Sequence, residues 1–197
     1  MLPDELDLVL ASSSPYRREL LTRLTPRFRI FSPGIDETPH SDETAAELAV
    51  RLAAAKTTAI VSYCPGAMVI GCDQTAECEG RLLGKSGARD AAQAQLADCS
   101  GRMVTFYTAL CLADARSTPQ MQSEMDVTRV VFRTLQADEI GRYVERERPF
   151  DCTGSFRVEG LGIALFERIE SNDPTALIGL PLIALCRLLR SAGCAMP

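Results

Sequence analysis

The start of the chain has the pattern of a β-strand, a serine turn and a helix, and this order constrains the fold more than any other feature. Residues 6–11 are predicted to form a strand, a serine triplet follows at 12–14, and helical spacing runs from Pro15 to about Leu24. Proline suits the first helical position because its missing N–H would have no helical partner, and Ser14 suits the cap before it. A strand that feeds a helix through a short polar turn is typical of an α/β sheet.

Strand-like and helix-like segments alternate along the rest of the chain. Strands are predicted at residues 28–32, 67–72, 103–112, 125–133 and 163–169, and helices at 44–62, 88–97, 137–146 and 181–190. Thr44 and Glu47 form a capping box at the start of the second helix. A polar loop at 117–119 between two long strands indicates an antiparallel pair. The sequence therefore predicts a mixed α/β sheet, and since no linker divides the chain, residues 1–197 are expected to form one domain.

Composition limits the classes of function. A single histidine, His40, excludes a multi-histidine metal site, and its acidic loop favours a solvated residue over a base. A net charge of −5 argues against binding a nucleic acid polymer, which needs a basic face. The eight cysteines lack CxxC or metal-ligand spacing, and the longest apolar run is too short to span a membrane. The first residues are acidic, unlike those of a signal peptide, so we expect a cytoplasmic protein that does not contact membranes.

The serine turn and the helix after it form the first candidate site. Free N–H groups at a helix start, preceded by the hydroxyls of Ser12 and Ser14, are suited to binding phosphate. Arg17 and Arg18 lie within the first turn and would add positive charge. The same residues also fit an ordinary capped helix with solvated arginines, and the chain has no Walker A motif.

Lys56 forms the second candidate. Residues 48, 52, 56 and 60 share one face of the predicted second helix, and only Lys56 is polar among them. A lysine in an apolar stripe either extends to water or points at an anion, and the local pattern leaves both open.

Acidic residues form the third candidate. Asp73 follows the predicted buried strand, at a position where α/β sheets place ligands, and Lys85 follows a short loop later. Asp73 could bind a divalent cation or activate a water, and Asp36 and Glu37 offer a second carboxylate for Mg²⁺, which prefers oxygen ligands. A turn aspartate, a surface lysine and a solvated acidic loop would give the same local pattern.

Several motifs follow one another along nearly the whole chain. They are Ser12-x-Ser14-Pro15-x-Arg17, Asp36-Glu37, Lys56, Gly71-Cys72-Asp73-Gln74, Gly84-Lys85, Ser100-Gly101, Phe106-Tyr107-Thr108 and Gly154-Ser155-Phe156. In this order they resemble the Maf family of nucleoside-triphosphate pyrophosphatases. Tyr16-Arg17-Arg18, Asp73-Gln74 and residues 155–160 and 172–182 are most similar to the subgroup that acts on 7-methyl-GTP.

The resemblance implies a Maf/ITPase-like fold with two lobes around a deep nucleotide-binding groove. It also implies a homodimer and a divalent cation (Mg²⁺, Mn²⁺ or Co²⁺). The implied reaction hydrolyses 7-methyl-GTP to 7-methyl-GMP and pyrophosphate, which removes a modified nucleotide from the pool.

The resemblance also assigns a role to each site residue. Asp73 matches the proton acceptor, and with Glu37 it is the expected metal ligand. The other implied catalytic and substrate-binding residues are Lys56, Lys85, Ser12, Ser14, Arg17 and Arg18, and the specificity positions are Tyr16, Gln74 and Glu159. Lys56 and Lys85 are the only lysines among 21 lysines and arginines, which fits positions where a planar guanidinium cannot replace a compact ammonium.

Three other functions remain open at this point. The enzyme could prefer GTP, UTP or dTTP, or the protein could be a nucleotide-binding regulator of cell division without catalysis. A thiol-dependent enzyme built on Cys72 is the third, although no second cysteine is spaced to resolve it.

Overall fold

The computed structural model describes residues 6–116 and 120–196. Over these ranges it contains seven strands, β1 (Leu8–Ala11), β2 (Arg29–Phe31), β3 (Met68–Cys78), β4 (Arg81–Leu83), β5 (Met103–Asp114), β6 (Gln120–Phe132) and β7 (Phe166–Glu170). The five α-helices in the same ranges are α1 (Pro15–Thr22), α2 (Ala45–Val61), α3 (Arg89–Cys99), α4 (Ala137–Glu147) and α5 (Leu182–Ser191). None of these helices is long and apolar enough to cross a membrane.

The strands form one mixed sheet in the order β2-β1-β3-β5-β6-β7, and β4 pairs with β3 beside this path. β1 runs parallel to β2 and to β3, whereas β4 is antiparallel to β3 and β7 is antiparallel to β6. The predicted mixed α/β class is confirmed. β5 and β6 are neighbours in the sheet as expected, while the loop predicted around Ser117, Thr118 and Pro119 lies outside the described residues.

Two sequence-based assignments are wrong, and one strand was missed. β3 does not end before Asp73 but continues to Cys78, because its last residues pair with β4, a short strand that the sequence pattern did not reveal. The strand expected from Ile163 begins only at Phe166, since a 3-10 helix occupies Leu161–Leu165. A short apolar segment has too few residues to distinguish these alternatives by periodicity.

The described residues divide into two compact units. The first comprises residues within 1–73, 108–126 and 173–197, and the second those within 74–107 and 127–172. The core of the first unit is built from β1, the start of β3, α1 and α5, with Leu10, Leu20, Ile70, Leu185 and Leu189 all buried. The core of the second contains four phenylalanine rings in edge-to-face contact, Phe106, Phe132, Phe156 and Phe166.

Caps fix the starts of the two helices that carry candidate residues. Ser14 caps α1 by accepting the Arg17 N–H, and Pro15 occupies the first helical position. At α2, Thr44 Oγ1 accepts the Glu47 N–H at 3.2 Å and Glu47 accepts the Thr44 N–H at 2.9 Å, which confirms the predicted capping box. Both helices therefore begin where the sequence indicates.

α2 lies unusually close to β3 at Gly71. A Cβ atom at this position would lie 2.5 Å from the Ala53 carbonyl oxygen and 2.8 Å from the Thr57 backbone nitrogen, and it would also overlap Thr57 Oγ1. Only glycine allows this approach. Because Lys56 precedes Thr57 and Asp73 lies two residues after Gly71, the close approach brings these two candidate residues together.

Candidate active site

Asp73 lies beyond the carboxyl end of the parallel part of the sheet, although it is still within β3. The register of β1 and β3 ends at the pair Ala11 and Gly71, so Ser12 and Asp73 both follow the paired residues. This is where α/β sheets place ligands. Both residues are buried, with Ser12 3% and Asp73 5% exposed.

Lys56 joins two carboxylates. Its Nζ lies 2.5 Å from Asp73 Oδ1 and 2.6 Å from Glu37 Oε1. The Lys56 side chain is 6% exposed, so it does not extend to water. Of the two alternatives for a lysine in an apolar stripe, Lys56 therefore takes the second and points at an anion. The Glu37 side chain is 56% exposed, so this carboxylate reaches the buried ammonium from the solvent side.

The charges around Asp73 oppose one another. Burial raises the pKa of the Asp73 carboxyl above its usual value, while Arg17 and Lys56 act to lower it. The Glu37 charge adds a smaller upward shift to this pKa. The net direction is upward, which moves the carboxylate towards the range in which a general base operates near neutral pH.

Arg17 is held by two contacts within the first unit. Its Nε donates to the Gly179 carbonyl at 2.8 Å, and its Nη1 donates to Ser12 Oγ at 3.4 Å. Ser12 Oγ also accepts the Ser14 N–H at 3.1 Å. Thus the serine turn, the start of α1 and the Arg17 guanidinium form one hydrogen-bonded group.

The neighbours of Arg17 on α1 differ in burial. Tyr16 is half-buried, whereas Arg18 is exposed. The Arg18 backbone N–H donates to the Ser14 carbonyl at 3.2 Å, and the predicted substrate-binding role of the Arg18 side chain remains a prediction.

Three predicted site residues lie in the second unit. Gln74 follows Asp73 in β3 and is half-buried, while Lys85 and Glu159 are exposed. Lys85 forms an antiparallel bridge with Thr153. Gln95 of α3 links the segment before Lys85 to the segment that contains Ser155. Its Nε2 donates to Gly84 O at 3.1 Å and to Ser155 Oγ at 2.7 Å. The roles of these residues in catalysis and specificity remain predictions.

The predicted divalent cation has a partial set of ligands. Among the described residues, no group of three or more His, Cys, Asp and Glu side chains could hold a metal ion. Asp73 and Glu37 supply two carboxylates on either side of Lys56. Mg²⁺ is commonly bound by one or two carboxylates together with substrate phosphates, so this donor set fits a cation that arrives with a nucleotide.

Sequence reasoning missed the Gly179 carbonyl and the bidentate ion pair between Arg51 and Glu43. Gly179 lies within the motif at 172–182, but a backbone oxygen leaves no pattern in side-chain chemistry. Cys72 Sγ also donates to Gly179 O, at 3.1 Å, and burial raises the pKa of this thiol to about 11. A buried thiol of this kind is inert, which argues against an enzyme that uses Cys72 as a nucleophile.

Comparison with known proteins identifies the family of this chain. The model of the family described as Maf-like protein matches residues 7–192, and the chain belongs to that family. A protein of Xanthomonas oryzae pv. oryzae (strain MAFF 311018), named 7-methyl-GTP pyrophosphatase, is 52% identical over 191 residues, which cover 96% of this chain and 98% of that protein. A protein of the same name from Burkholderia lata is 53% identical over 188 residues, 94% of this chain and 89% of that protein.

A solved structure shares the fold at much lower identity. The Staphylococcus aureus Ham1 protein matches with a TM-score of 0.52 over 94% of this chain and 99% of that chain, at 14% sequence identity. The expected Maf/ITPase-like fold is thereby confirmed.

Proposed function

We propose that this protein is a nucleoside-triphosphate pyrophosphatase that hydrolyses 7-methyl-GTP to 7-methyl-GMP and pyrophosphate. The observation that carries the proposal is the buried Asp73 carboxylate, paired with Lys56 and facing the charge of Arg17. It is supported by relatives of that name that are more than 50% identical over nearly the whole chain.

Asp73 serves as the proton acceptor. A water attacks the α-phosphorus, the new bond forms between the water oxygen and that phosphorus, and the bond to the bridging oxygen breaks. The proton from water passes to Asp73, and pyrophosphate leaves with the electron pair of the broken bond. Burial raises the pKa of Asp73, which makes this carboxylate a stronger base than an exposed one.

Negative charge grows on the bridging oxygen during this step, and fixed cations stabilise it. Lys56 contacts Asp73, and the charge of Arg17 acts on the same carboxylate. Glu37 holds the Lys56 ammonium, and the Gly179 carbonyl holds the Arg17 guanidinium. We assign Lys85 and Arg18 to the same task from their positions in the family motif. The Ser12 and Ser14 hydroxyls and the N–H groups at the start of α1 bind phosphate oxygens.

We propose Asp73 and Glu37 as the ligands of a divalent cation, Mg²⁺, Mn²⁺ or Co²⁺. When bound, the cation supplies Lewis-acid polarisation of phosphate oxygens. Asp73 retains its role as proton acceptor, and Glu37 orients the Lys56 ammonium through the 2.6 Å contact.

Base selection is assigned to three residues. A 7-methylguanine ring is cationic, so the half-buried Tyr16 ring can stack on it with a cation–π contribution. The Glu159 carboxylate can accept the two adjacent donors of the guanine edge, and Gln74 has both a donor and an acceptor for the base or the attacking water.

A panel of triphosphates tests the proposal. Pyrophosphate release from 7-methyl-GTP, GTP, UTP and dTTP is measured for the wild type, for Asp73→Asn and for the control Asp98→Asn, whose exposed carboxylate pairs with Arg81. We expect 7-methyl-GTP to be the best substrate, Asp73→Asn to bind it without turnover, and Asp98→Asn to match the wild type.

Other outcomes favour the remaining functions. Faster release from UTP or dTTP would replace 7-methyl-GTP as the substrate. Nucleotide binding without hydrolysis under Mg²⁺, Mn²⁺ or Co²⁺ would favour a regulator of cell division. Wild-type turnover by Asp73→Asn would refute the proposed proton acceptor.

We also propose that the protein acts as a homodimer in the cytoplasm on free nucleotides, without a nucleic acid polymer as partner. The family resemblance supports the dimer, and the net charge of −5 disfavours binding to polynucleotides. Light scattering of the purified protein would measure the oligomeric state, and a monomeric mass at assay concentration would contradict the dimer.

A further inference from the structure

Glu37 lies on a loop that has few apolar anchors of its own. Residues 32–44 connect β2 to α2 without a helix or strand, and the side chains from Asp36 to Asp42 are exposed. Such a segment gains little from apolar burial, so its position depends on polar contacts. Yet Glu37 must stay at 2.6 Å from the buried Lys56 ammonium.

Arg51 of α2 supplies those contacts. Its Nε donates to Glu43 Oε1 at 2.6 Å, and its Nη2 donates to Glu43 Oε2 at 2.8 Å and to the Thr38 carbonyl at 3.0 Å. Glu43 Oε2 also accepts the His40 backbone N–H at 3.2 Å. A bidentate pair of this kind fixes direction as well as distance. We call Arg51 and Glu43 the loop clasp.

The contacts of the clasp reach almost to Glu37 itself. Thr38, whose carbonyl accepts from Arg51, is the next residue along the chain, and its backbone N–H is accepted by Asp36 Oδ1 at 2.9 Å. The residues on both sides of Glu37 are therefore tied by hydrogen bonds. Arg51 and Lys56 belong to the same helix, so α2 holds both the loop and the ammonium that Glu37 must reach.

The environment of Glu43 keeps the loop clasp formed. The Glu43 side chain is only 8% exposed, and the hydrogen bonds from Arg51 hold the pKa of this carboxyl down at about 2. Glu43 therefore stays ionised at any physiological pH, and the clasp stays closed. A flexible lysine in place of Arg51 would lack the planar fork that engages both carboxylate oxygens and the carbonyl.

We infer that Arg51 and Glu43 are positioning residues for the reaction: their bidentate ion pair holds the loop that carries Glu37 against Lys56. The inference rests on the proposed function for the catalytic importance of Glu37, and on geometry alone for the loop. Removing either member of the clasp should release the loop and lower activity through Glu37 only.

The first test needs no activity. A glutamyl endopeptidase cleaves after Glu37 and Glu43 when the loop can leave the protein surface, and the cleavage rate of the native protein is followed by mass spectrometry. The variants are Arg51→Gln and Glu43→Gln, with Arg187→Gln as the matched control, since Arg187 forms a similar two-oxygen pair with Glu124 elsewhere.

We expect cleavage after Glu37 to become about tenfold faster in Arg51→Gln and in Glu43→Gln, and to stay at the wild-type rate in Arg187→Gln. Glu43→Gln keeps the test valid if Arg51→Gln folds poorly, because it leaves no unpaired carboxylate. Wild-type cleavage after Glu37 in both clasp variants would overturn the inference.

The second test is a double-mutant cycle on kcat/KM. Arg51→Gln alone should lower kcat/KM by about tenfold, as expected when a supporting partner of a site residue is lost. In a Glu37→Gln background the same change should cost less than about twofold, because the residue it positions is gone. An equal tenfold loss in both backgrounds, or no loss in either, would refute the positioning role.

The two tests separate the two proposals. If the wild type releases pyrophosphate from none of the triphosphates, the proposed function fails, and the proteolysis result still decides whether the clasp holds the loop. If the wild type is active and the cycle is additive, the function stands and the positioning role fails.

Discussion

The close approach of α2 to β3 gives a sharp prediction for Gly71→Ala. The new methyl group would lie 2.5 Å from the Ala53 carbonyl oxygen and 2.8 Å from the Thr57 nitrogen, whereas ordinary contacts begin at about 3.4 Å. Both are backbone atoms, so no side-chain rotation relieves the overlap. The helix has to move away from the strand by roughly 1 Å, or the strand has to bend.

The cost follows from this geometry. Overpacking a core costs about 1–3 kcal/mol, and an overlap with helix backbone belongs at the upper end. For a chain of this size, about 3 kcal/mol corresponds to a fall in Tm of roughly 6–12 °C. Because Lys56 lies next to Thr57 and pairs with Asp73, the same displacement lengthens their 2.5 Å contact. A misplacement of about 1 Å can lower turnover by about 100-fold.

Thermal unfolding and pyrophosphate release measure the two effects. Gly141→Ala is the control, since its nearest neighbour would be Gln93 Nε2 at 3.8 Å and alanine is the better helix former, so it should gain about 0.5–1 kcal/mol. Gly71→Ala/Thr57→Ala should remain as unstable as Gly71→Ala, because the backbone overlaps persist. A Gly71→Ala protein with wild-type Tm and turnover would refute this reasoning.

Three further predictions concern the buried charges and the proposed divalent cation. Lys56→Met leaves Asp73 without its nearest cation, so urea unfolding should show a loss of about 3 kcal/mol and turnover should fall by about 100-fold or more. Most of the lost stability should return in the double variant Lys56→Met/Asp73→Asn. A double variant as unstable as Lys56→Met would contradict this prediction. The folded-state pKa of Asp73 is raised above its unfolded value of 3.8, so the folded state binds this proton more tightly than the unfolded state does. The contribution of Asp73 to the free energy of unfolding should therefore fall as the pH rises from the unfolded pKa through the folded one. Asp73→Asn should remove this fall, and urea titrations from pH 3.5 to 7.5 that give parallel curves for both proteins would contradict it. EDTA should stop pyrophosphate release. It should leave the Tm unchanged, because the described part of the chain contains no cluster of three metal-binding side chains that would hold a structural ion. Continued release in excess EDTA would refute the metal requirement.

The elements that carry the site could largely be predicted from the sequence. Ser14, Pro15 and the pair Thr44 and Glu47 act through neighbours within one turn of helix, so local pattern suffices to place α1 and α2. The stripe that contains Lys56 is likewise a property of one helix. The family motif brought Lys56, Glu37 and Asp73 together before the structure showed their contacts.

What the sequence could not predict depends on contacts between distant segments. The extension of β3 beyond Asp73 depends on pairing with β4, and Gly179 O acts on Arg17 from 162 positions along the chain. Arg51 and Glu43 look like ordinary charged residues until their positions in space are known. Sequence spacing carries no signal for such partners, because their proximity is set by the packing of the whole unit.

The Gly179 carbonyl accepts from Arg17 Nε at 2.8 Å and from Cys72 Sγ at 3.1 Å, and the buried thiol that shares this acceptor with Arg17 is shielded from chemical attack by its burial. With the pKa of its thiol raised to about 11, Cys72 stays protonated, and the thiolate that peroxide and alkylating agents require is almost absent. Cys72, the residue before Asp73 in the chain, is therefore expected to resist oxidation and alkylation while the protein stays folded.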